Sequence, residues 1–174
     1  MSCFSQEILD VALSDKTKLI TESVYQFHIK NTKWDIENYL YTLDEQNMKI
    51  DSLTFVQLIN KALEQKPEQW KKEDFKNVYL IKSGEILSSK KVLSELDIQD
   101  KKETKTIKKQ IRQFNNHPNE WRGWPISISK PIFSDDNQFC IIGFKFGNNG
   151  GHTELYKKSE SKWKRIGIFD RFAY

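Results

Sequence analysis

The residues best placed to do chemistry are His152 and Glu154, two positions apart and so on one face if the segment is a strand. An imidazole beside a carboxylate can move protons or supply two metal ligands. A third ligand would have to come from Asp135, Asp136 or His117, and no spacing demands it. Cys140 is a possible nucleophile, but it shares its strand face with Ile142, Phe144 and Phe146, and a thiol in apolar surroundings stays protonated and inert. No Gly-x-Ser-x-Gly, His-Glu-x-x-His or Cys-x-x-Cys motif occurs. Gly147-Asn-Asn-Gly-Gly-His152 lacks the lysine and hydroxyl spacing of a phosphate loop and lies between strands, so it reads as a hairpin. No cofactor and no metal is implied.

The most distinctive stretch is Asn115-Asn-His-Pro-Asn-Glu-Trp-Arg-Gly-Trp-Pro125. Trp and Arg are the residue types that most often anchor interfaces, so His117, Trp121, Arg122 and Trp124 form a candidate partner-binding loop. The same residues can instead plug the end of a β-layer against the preceding helix. His152 in the glycine-rich hairpin and Arg171 in the C-terminal Phe-Asp-Arg-Phe-Ala-Tyr run complete the candidate surface.

Positioning these groups requires a core, and 174 residues with 37% hydrophobic, 13% aromatic and 30% charged content are enough for a single domain, residues 1–174. Residues 1–115 are helix-rich. Ile8, Leu9, Ala12 and Leu13 mark an opening helix. Asp35 caps a helix carrying Ile36, Tyr39, Leu40 and Leu43, and Asp51 caps one whose wide stripe, Phe55 to Leu63, should be central. Pro67 suits the first turn of a short helix through Phe75. Ser89 caps a helix with Val92, Leu93 and Leu96. Asp97 to Lys105 is a loop or the start of a helix bearing Ile107, Ile111 and Phe114.

Strands are expected near 19–29, where Tyr25, Phe27 and Ile29 alternate with Gln26, His28 and Lys30, and near 78–87, a hairpin turning at Ser83-Gly84. Residues 126–172 read as an antiparallel meander. Pro131 suits an edge or strand start, Ser134 to Asn137 a turn, and Phe139 to Phe146 a central strand apolar on both faces. The expected fold class is α+β, with helices packed on one side of a mostly antiparallel sheet ending in a C-terminal β-meander.

The net charge is +4 at pH 7. Lys66 to Arg112 holds the excess, but its acids are interleaved with its lysines, the pattern of a solvated face, so nucleic acid is not expected as a partner. No apolar run approaches the roughly 20 residues that span a bilayer. Two cysteines make no disulfide framework. Met1 to Glu7 looks like the tail of a bacterial export signal without its apolar stretch. A trimmed signal would place the chain in the periplasm or at the envelope, and otherwise it is cytoplasmic.

Ile128-Ser-Lys-Pro-Ile-Phe-Ser-Asp-Asp-Asn-Gln-Phe139, the apolar strand, the glycine-rich turn, Glu154-Leu-Tyr-Lys-Lys and Lys162-Trp-Lys together resemble the last third of small uncharacterised exported bacterial proteins with a C-terminal β-meander. The resemblance implies an envelope-associated protein and no agreed activity. Cysteines flank the glycines of the long turn in that group, and Asn148 and Asn149 stand there in this chain. The expected function is a small non-catalytic binding protein, an inhibitor or immunity-type partner of another protein. The alternatives are a hydrolase or nuclease organised around His152 and Glu154 and, third, a basic module contacting nucleic acid. Oligomeric state is left open.

Overall fold

The computed structural model describes residues 3–117 and 123–174, with side chains from Ser5 onward. Five helices, α1 (Cys3–Leu13), α2 (Lys33–Glu45), α3 (Ser52–Leu63), α4 (Ser89–Glu95) and α5 (Lys101–Asn116), surround one mixed, mostly antiparallel sheet. Its strands are β1 (Leu19–Thr21), β2 (Tyr79–Ile81), β3 (Ile126–Ile128), β4 (Ile132–Phe133), β5 (Phe139–Phe146), β6 (Gly150–Ser159) and β7 (Lys162–Ala173). They run in the order β2-β1-β3-β5-β6-β7, with β4 also on β5. The fold is α+β. The C-terminal meander β5-β6-β7 is antiparallel, while β1 pairs parallel with both β2 and β3.

The central-strand expectation for β5 rests on apolar residues facing both ways, and the two faces do feed different cores. Cys140, Ile142 and Phe144 pack with Ile8, Leu9 and Ala12 of α1 and with Trp70. Ile141, with Leu155 and Phe169, packs against α2 and against Phe55, Leu58, Ile59 and Ala62 of α3. A third cluster joins α4 and α5 to β1 and β2 through Leu19, Tyr79, Ile81, Val92, Ile107 and Ile111. Helices therefore cover both faces, which corrects the one-sided packing expected from sequence. The reason is that β5 has no polar face left for water.

The strand expected over 19–29 stops at Thr21. Beyond it successive N–H groups donate to three different segments, Glu22 to Ile81, Val24 to Glu68 and Tyr25 to Ile128, so no ladder forms despite the β-prone residues. The segment instead crosses the sheet over Gly143, where a Cβ would meet Phe27 Cδ1 at 3.0 Å and Tyr25 Cε1 at 3.1 Å. The helix expected from Pro67 is absent apart from a 3₁₀ turn at Lys72–Asp74, because residues 68–70 lie extended against 22–24. The hairpin expected near 78–87 has its turn, with Gly84 at φ 72°, but no returning strand. The backbone N–H and C=O of Leu87 bond to the Asn115 side chain at 3.0 and 2.8 Å instead.

Helix starts differ by small shifts. Thr32, not Asp35, caps α2, and Asp35 sits in its first turn with its N–H on Thr32 Oγ1 at 3.2 Å. Ser88 rather than Ser89 caps α4. Asp51 caps α3, and Asp100 caps α5 by accepting from the N–H groups of Lys102 and Glu103.

Candidate functional site

Strand alternation puts His152 and Glu154 on one face of β6, as the spacing requires, with His152 Nε2 3.0 Å from Glu154 Oε1. Three further partners close around the carboxylate. Lys16, just after α1, lies 3.2 Å from Oε1, Arg165 Nη1 lies 3.1 Å from the same atom, and Tyr156 donates its hydroxyl to Oε2. Arg165 reaches this face through a β-bulge. The register runs Glu154↔Ile168, Leu155↔Gly167, then Tyr156↔Arg165, so the extra residue Ile166 brings Arg165 opposite Tyr156. Lys16 is itself held, donating to Ala12 C=O at 2.8 Å and lying 4.5 Å over the Phe144 ring.

The Glu154 side chain is only 1% exposed. Burial alone would raise its pKa, but the hydrogen bond from His152, the Lys16 charge and the Tyr156 hydroxyl together bring it down to about 2. A carboxylate so low in pKa is a poor proton acceptor near neutrality. The cluster instead ties the end of α1 to β6 and β7. Asp135 and Asp136 belong to the turn at the far end of the β5–β6 pair, where Asp135 pairs with Lys61 at 2.6 Å and Asp136 accepts from Ser134 at 2.6 Å. Among the described residues no group of three His, Cys, Asp or Glu side chains is arranged to hold a metal. Cys140 is fully buried, and burial pushes its thiol pKa well up.

The loop after α5 and the glycine-rich hairpin, distant in sequence, lie side by side. Gly147 N–H donates to Pro125 C=O at 2.9 Å, and a Cβ on Gly123 would stand 3.9 Å from Asn149 Nδ2. Beside them Lys145 sits 5.2 Å over the ring of Tyr174, which is 66% exposed, and Phe172 stacks on His28 at 4.4 Å. Trp124 is not an exposed anchor. Its indole is buried with Leu19, Tyr79 and Ile111, 6.0 Å from Phe114, as the plug between the sheet end and α5. His117 is exposed and caps α5 through its backbone N–H. Trp121 and Arg122 lie outside the described residues.

Arg171 leads to a site the sequence reading missed, a cleft of about 410 Å³ lined by His28, Lys30, Asp35, Asn38, Tyr39, Thr42, Asp170 and Arg171. At its floor β7 carries a second bulge. Thr153 pairs with Phe169 and Gly151 with Phe172, so Asp170 and Arg171 share the place opposite His152. Asp170 takes φ 50°, a left-handed conformation that in a non-glycine residue costs of order 1–3 kcal/mol. Its side chain is 10% exposed; Oδ1 accepts from Tyr39 OH at 3.2 Å and faces His28 Nδ1 at 3.9 Å, while the buried Oδ2 has no partner. Burial raises the Asp170 pKa against the lowering influence of His28 and Tyr39. One trace of this was in the sequence. Phe169 and Phe172 are three apart, whereas residues sharing a regular strand face are two apart.

Comparison with protein-family models, curated proteins and solved structures finds no match for this chain.

Proposed function

We propose that this chain is a small non-catalytic binding protein, an inhibitor or immunity-type partner of another protein, and that it binds through the sheet end formed by the 123–125 loop, the 147–150 hairpin and the C-terminal residues of β7. The observation that carries this reading is the pairing of Gly147 N–H with Pro125 C=O. That bond makes one surface out of the loop after α5 and the glycine-rich hairpin, and the exposed Tyr174 ring, held over Lys145, lies beside it. Support also comes from Glu154. A hydrolase or nuclease organised around His152 and Glu154 needs a carboxylate free to exchange protons or bind a metal, whereas this one is buried and engaged by four internal side chains. Among the described residues no helix is long and apolar enough to cross a membrane.

The test begins with the tagged chain as bait in its native cells, followed by calorimetric titration of each purified co-eluting protein. A true partner loses roughly thirtyfold in affinity with Tyr174→Ala, Trp121→Ala or Arg122→Ala, the loss typical of an anchoring aromatic or arginine. Glu160→Lys, at the β6–β7 turn on the other end of the sheet, leaves affinity unchanged. Equal affinity for all variants would overturn the assignment of the surface, and Glu154-dependent hydrolysis by the purified chain would overturn the binding reading itself.

A further inference from the structure

Twice in this fold, one residue's outward-facing N–H and C=O are both taken by a side-chain carboxamide. On the outer edge of β7, Gln46 Nε2 donates to Ile168 C=O at 2.8 Å and Gln46 Oε1 accepts from Ile168 N–H at 3.0 Å. Asn115 completes Leu87 in the same way, at 2.8 and 3.0 Å. Leu80, in β2 at the opposite edge of the sheet, carries a like pair with nothing on it. Tyr79 N–H donates to Lys18 C=O and Ile81 C=O accepts from Glu22 N–H, so Tyr79 and Ile81 face β1 and the Leu80 backbone groups point outward. Their neighbours along that edge are closed. Lys72 Nζ donates to Val78 C=O at 2.5 Å, and Glu85 takes both backbone groups of Lys82 at 3.1 Å, one through its carboxylate and one through its own N–H. Among the described residues neither outward group of Leu80 has a hydrogen-bond partner. Lys72, Leu80, Lys82 and Glu85 line one cleft of about 450 Å³, and Leu80 is only half-buried, so the gap between the two plugs opens into that cleft. We propose that this cleft receives a carboxamide, carried by a glutamine side chain of the protein partner. The proposal rests on the binding-protein reading and adds a contact at the sheet edge opposite β7.

The open pair selects its ligand by what it lacks. One acceptor must meet the N–H while one donor meets the C=O of the same residue. A carboxylate has no donor and an ammonium or guanidinium has no acceptor, whereas a carboxamide has both. A peptide backbone also has both, but strand addition draws its affinity from a run of edge positions. Here Val78 and Lys82, the next positions on that edge, are already occupied, so an added strand would gain a single pair of bonds. A side chain entering end-on needs only that one position. Glutamine is a better fit than asparagine, because Gln46 completes a strand edge while Asn115 serves a residue outside any strand.

Hydrogen exchange on the ¹⁵N-labelled chain is the first measurement. Leu80 N–H should be at least about tenfold less protected than Ile168 N–H, which Gln46 covers, and equal protection would overturn the proposal by showing the position already closed. N-acetyl-glutamine N-methylamide is then titrated beside its glutamate and norleucine analogues, which keep the two peptide groups and lack the carboxamide. The glutamine probe should move the Leu80 N–H signal with a Kd of about 10–100 mM, as expected for two hydrogen bonds exchanged against water. An equal response to norleucine would give the edge to peptide backbone, an equal response to glutamate would give it to any acceptor, and no response to glutamine would leave it to water; each overturns the proposal. Leu80→Pro deletes the N–H at an edge position where proline is tolerated and should weaken the probe at least about threefold, read at Ile81. If that variant fails to fold, an ester in place of the Leu80 amide removes the same donor and keeps the side chain. Undiminished binding in the folded variant would overturn the proposal. With a purified partner, Leu80→Pro should weaken binding at least about threefold, and one Gln→Glu change in the partner should match that loss without adding to it. Loss in Tyr174→Ala but not in Leu80→Pro would overturn this contact alone, whereas loss in neither would fail the wider reading.

Discussion

Glu154 and Asp170 are two buried carboxylates on neighbouring strands, and they behave in opposite ways. Each takes a tyrosine hydroxyl, from Tyr156 and Tyr39, and each has a histidine beside it, His152 at 3.0 Å and His28 at 3.9 Å. The difference is two cations. Lys16 and Arg165 complete Glu154, whose pKa the His152 hydrogen bond, the Lys16 charge and the Tyr156 hydroxyl bring to about 2 against burial, while Asp170 has neither cation, keeps one oxygen unpartnered and is pushed upward by burial. The two β7 bulges produce this division. One brings Arg165 onto the Glu154 face, and the other takes Asp170 off it, since in regular register Asp170 would stand opposite His152. Burial by itself does not decide what a carboxylate is for. Its partners do, a full shell turning Glu154 into an anchor while Asp170 keeps part of the cost of burial uncompensated.

The most direct way to break this contrast is to remove the anchor. Glu154→Ala should cost roughly 3–5 kcal/mol in urea denaturation, the range for stripping one partner from a buried charge cluster. Most of the loss traces to Lys16, whose side chain is 8% exposed and would keep only the exposed Asp15 carboxylate, at 3.0 Å, as a counter-charge, whereas Arg165 at 43% can turn to water. A cost below about 1 kcal/mol would show that the cluster holds nothing together.

Acid separates the two groups by sign. The Glu154 pKa is depressed from 4.5 to about 2 in the folded chain, so its contribution is complete above the unfolded value and is lost as pH falls from about 4.5 to about 2. That loss should be on the order of 3 kcal/mol. Glu154→Gln, which has no charge to lose, should differ most from the parent at pH 7 and approach it near pH 2. Asp170 runs the other way. Its raised pKa favours the neutral form on folding, so it stabilises at low pH and opposes folding as pH rises above its unfolded value of 3.8.

Asp170→Asn should therefore stabilise the protein at pH 7, by on the order of 1 kcal/mol, because it removes the charge that burial disfavours while leaving a neutral polar atom in the unpartnered place. Thermal unfolding should show the gain shrinking as pH falls toward 3.8 and gone below it, where the parent carboxyl is neutral whether folded or unfolded. A loss of stability at pH 7 would mean that the open shell is closed by something else in solution, and the comparison with Glu154 would fail.

How much of this was readable beforehand follows from sequence separation. The His152–Glu154 pairing and the two-faced β5 are local consequences of period-two alternation, and the α3 stripe is a local consequence of helical period; all three hold in the fold. Lys16 is 138 residues from Glu154, so nothing near the pair announces it, and Arg165 arrives only through a bulge that alternation would place wrongly. The strand expected to Ile29 failed for a related reason. Its composition fits a pleated surface, but strand formation needs a continuous partner edge, and residues 22–25 find three partners in turn. The Trp124 ambiguity between anchor and plug is resolved by α5 packing over it, a tertiary choice that residue type leaves open.

The smallest expected effect is at Tyr39. Deleting its hydroxyl removes the donor to Asp170 Oδ1 and the acceptor of the Lys30 N–H, two bonds that at face value are worth about 0.5–1.5 kcal/mol each. Neither loss should be felt in full. Lys30 is exposed and its N–H can turn to water, and at 3.2 Å the Tyr39–Asp170 contact is long for an O–H···O bond and correspondingly weak. Tyr39→Phe should therefore cost only about 0.5 kcal/mol at pH 7, and less in the Asp170→Asn background. The matching deletion at Tyr156 has no such escape, because Glu154 remains ionised beside Lys16 and Arg165, and a bond to a charged acceptor is worth about 1.5–3 kcal/mol. Denaturation of the two Phe variants side by side measures the difference between a filled and an open shell with one chemical change. Equal costs would mean that the cations around Glu154 do not set it apart from Asp170.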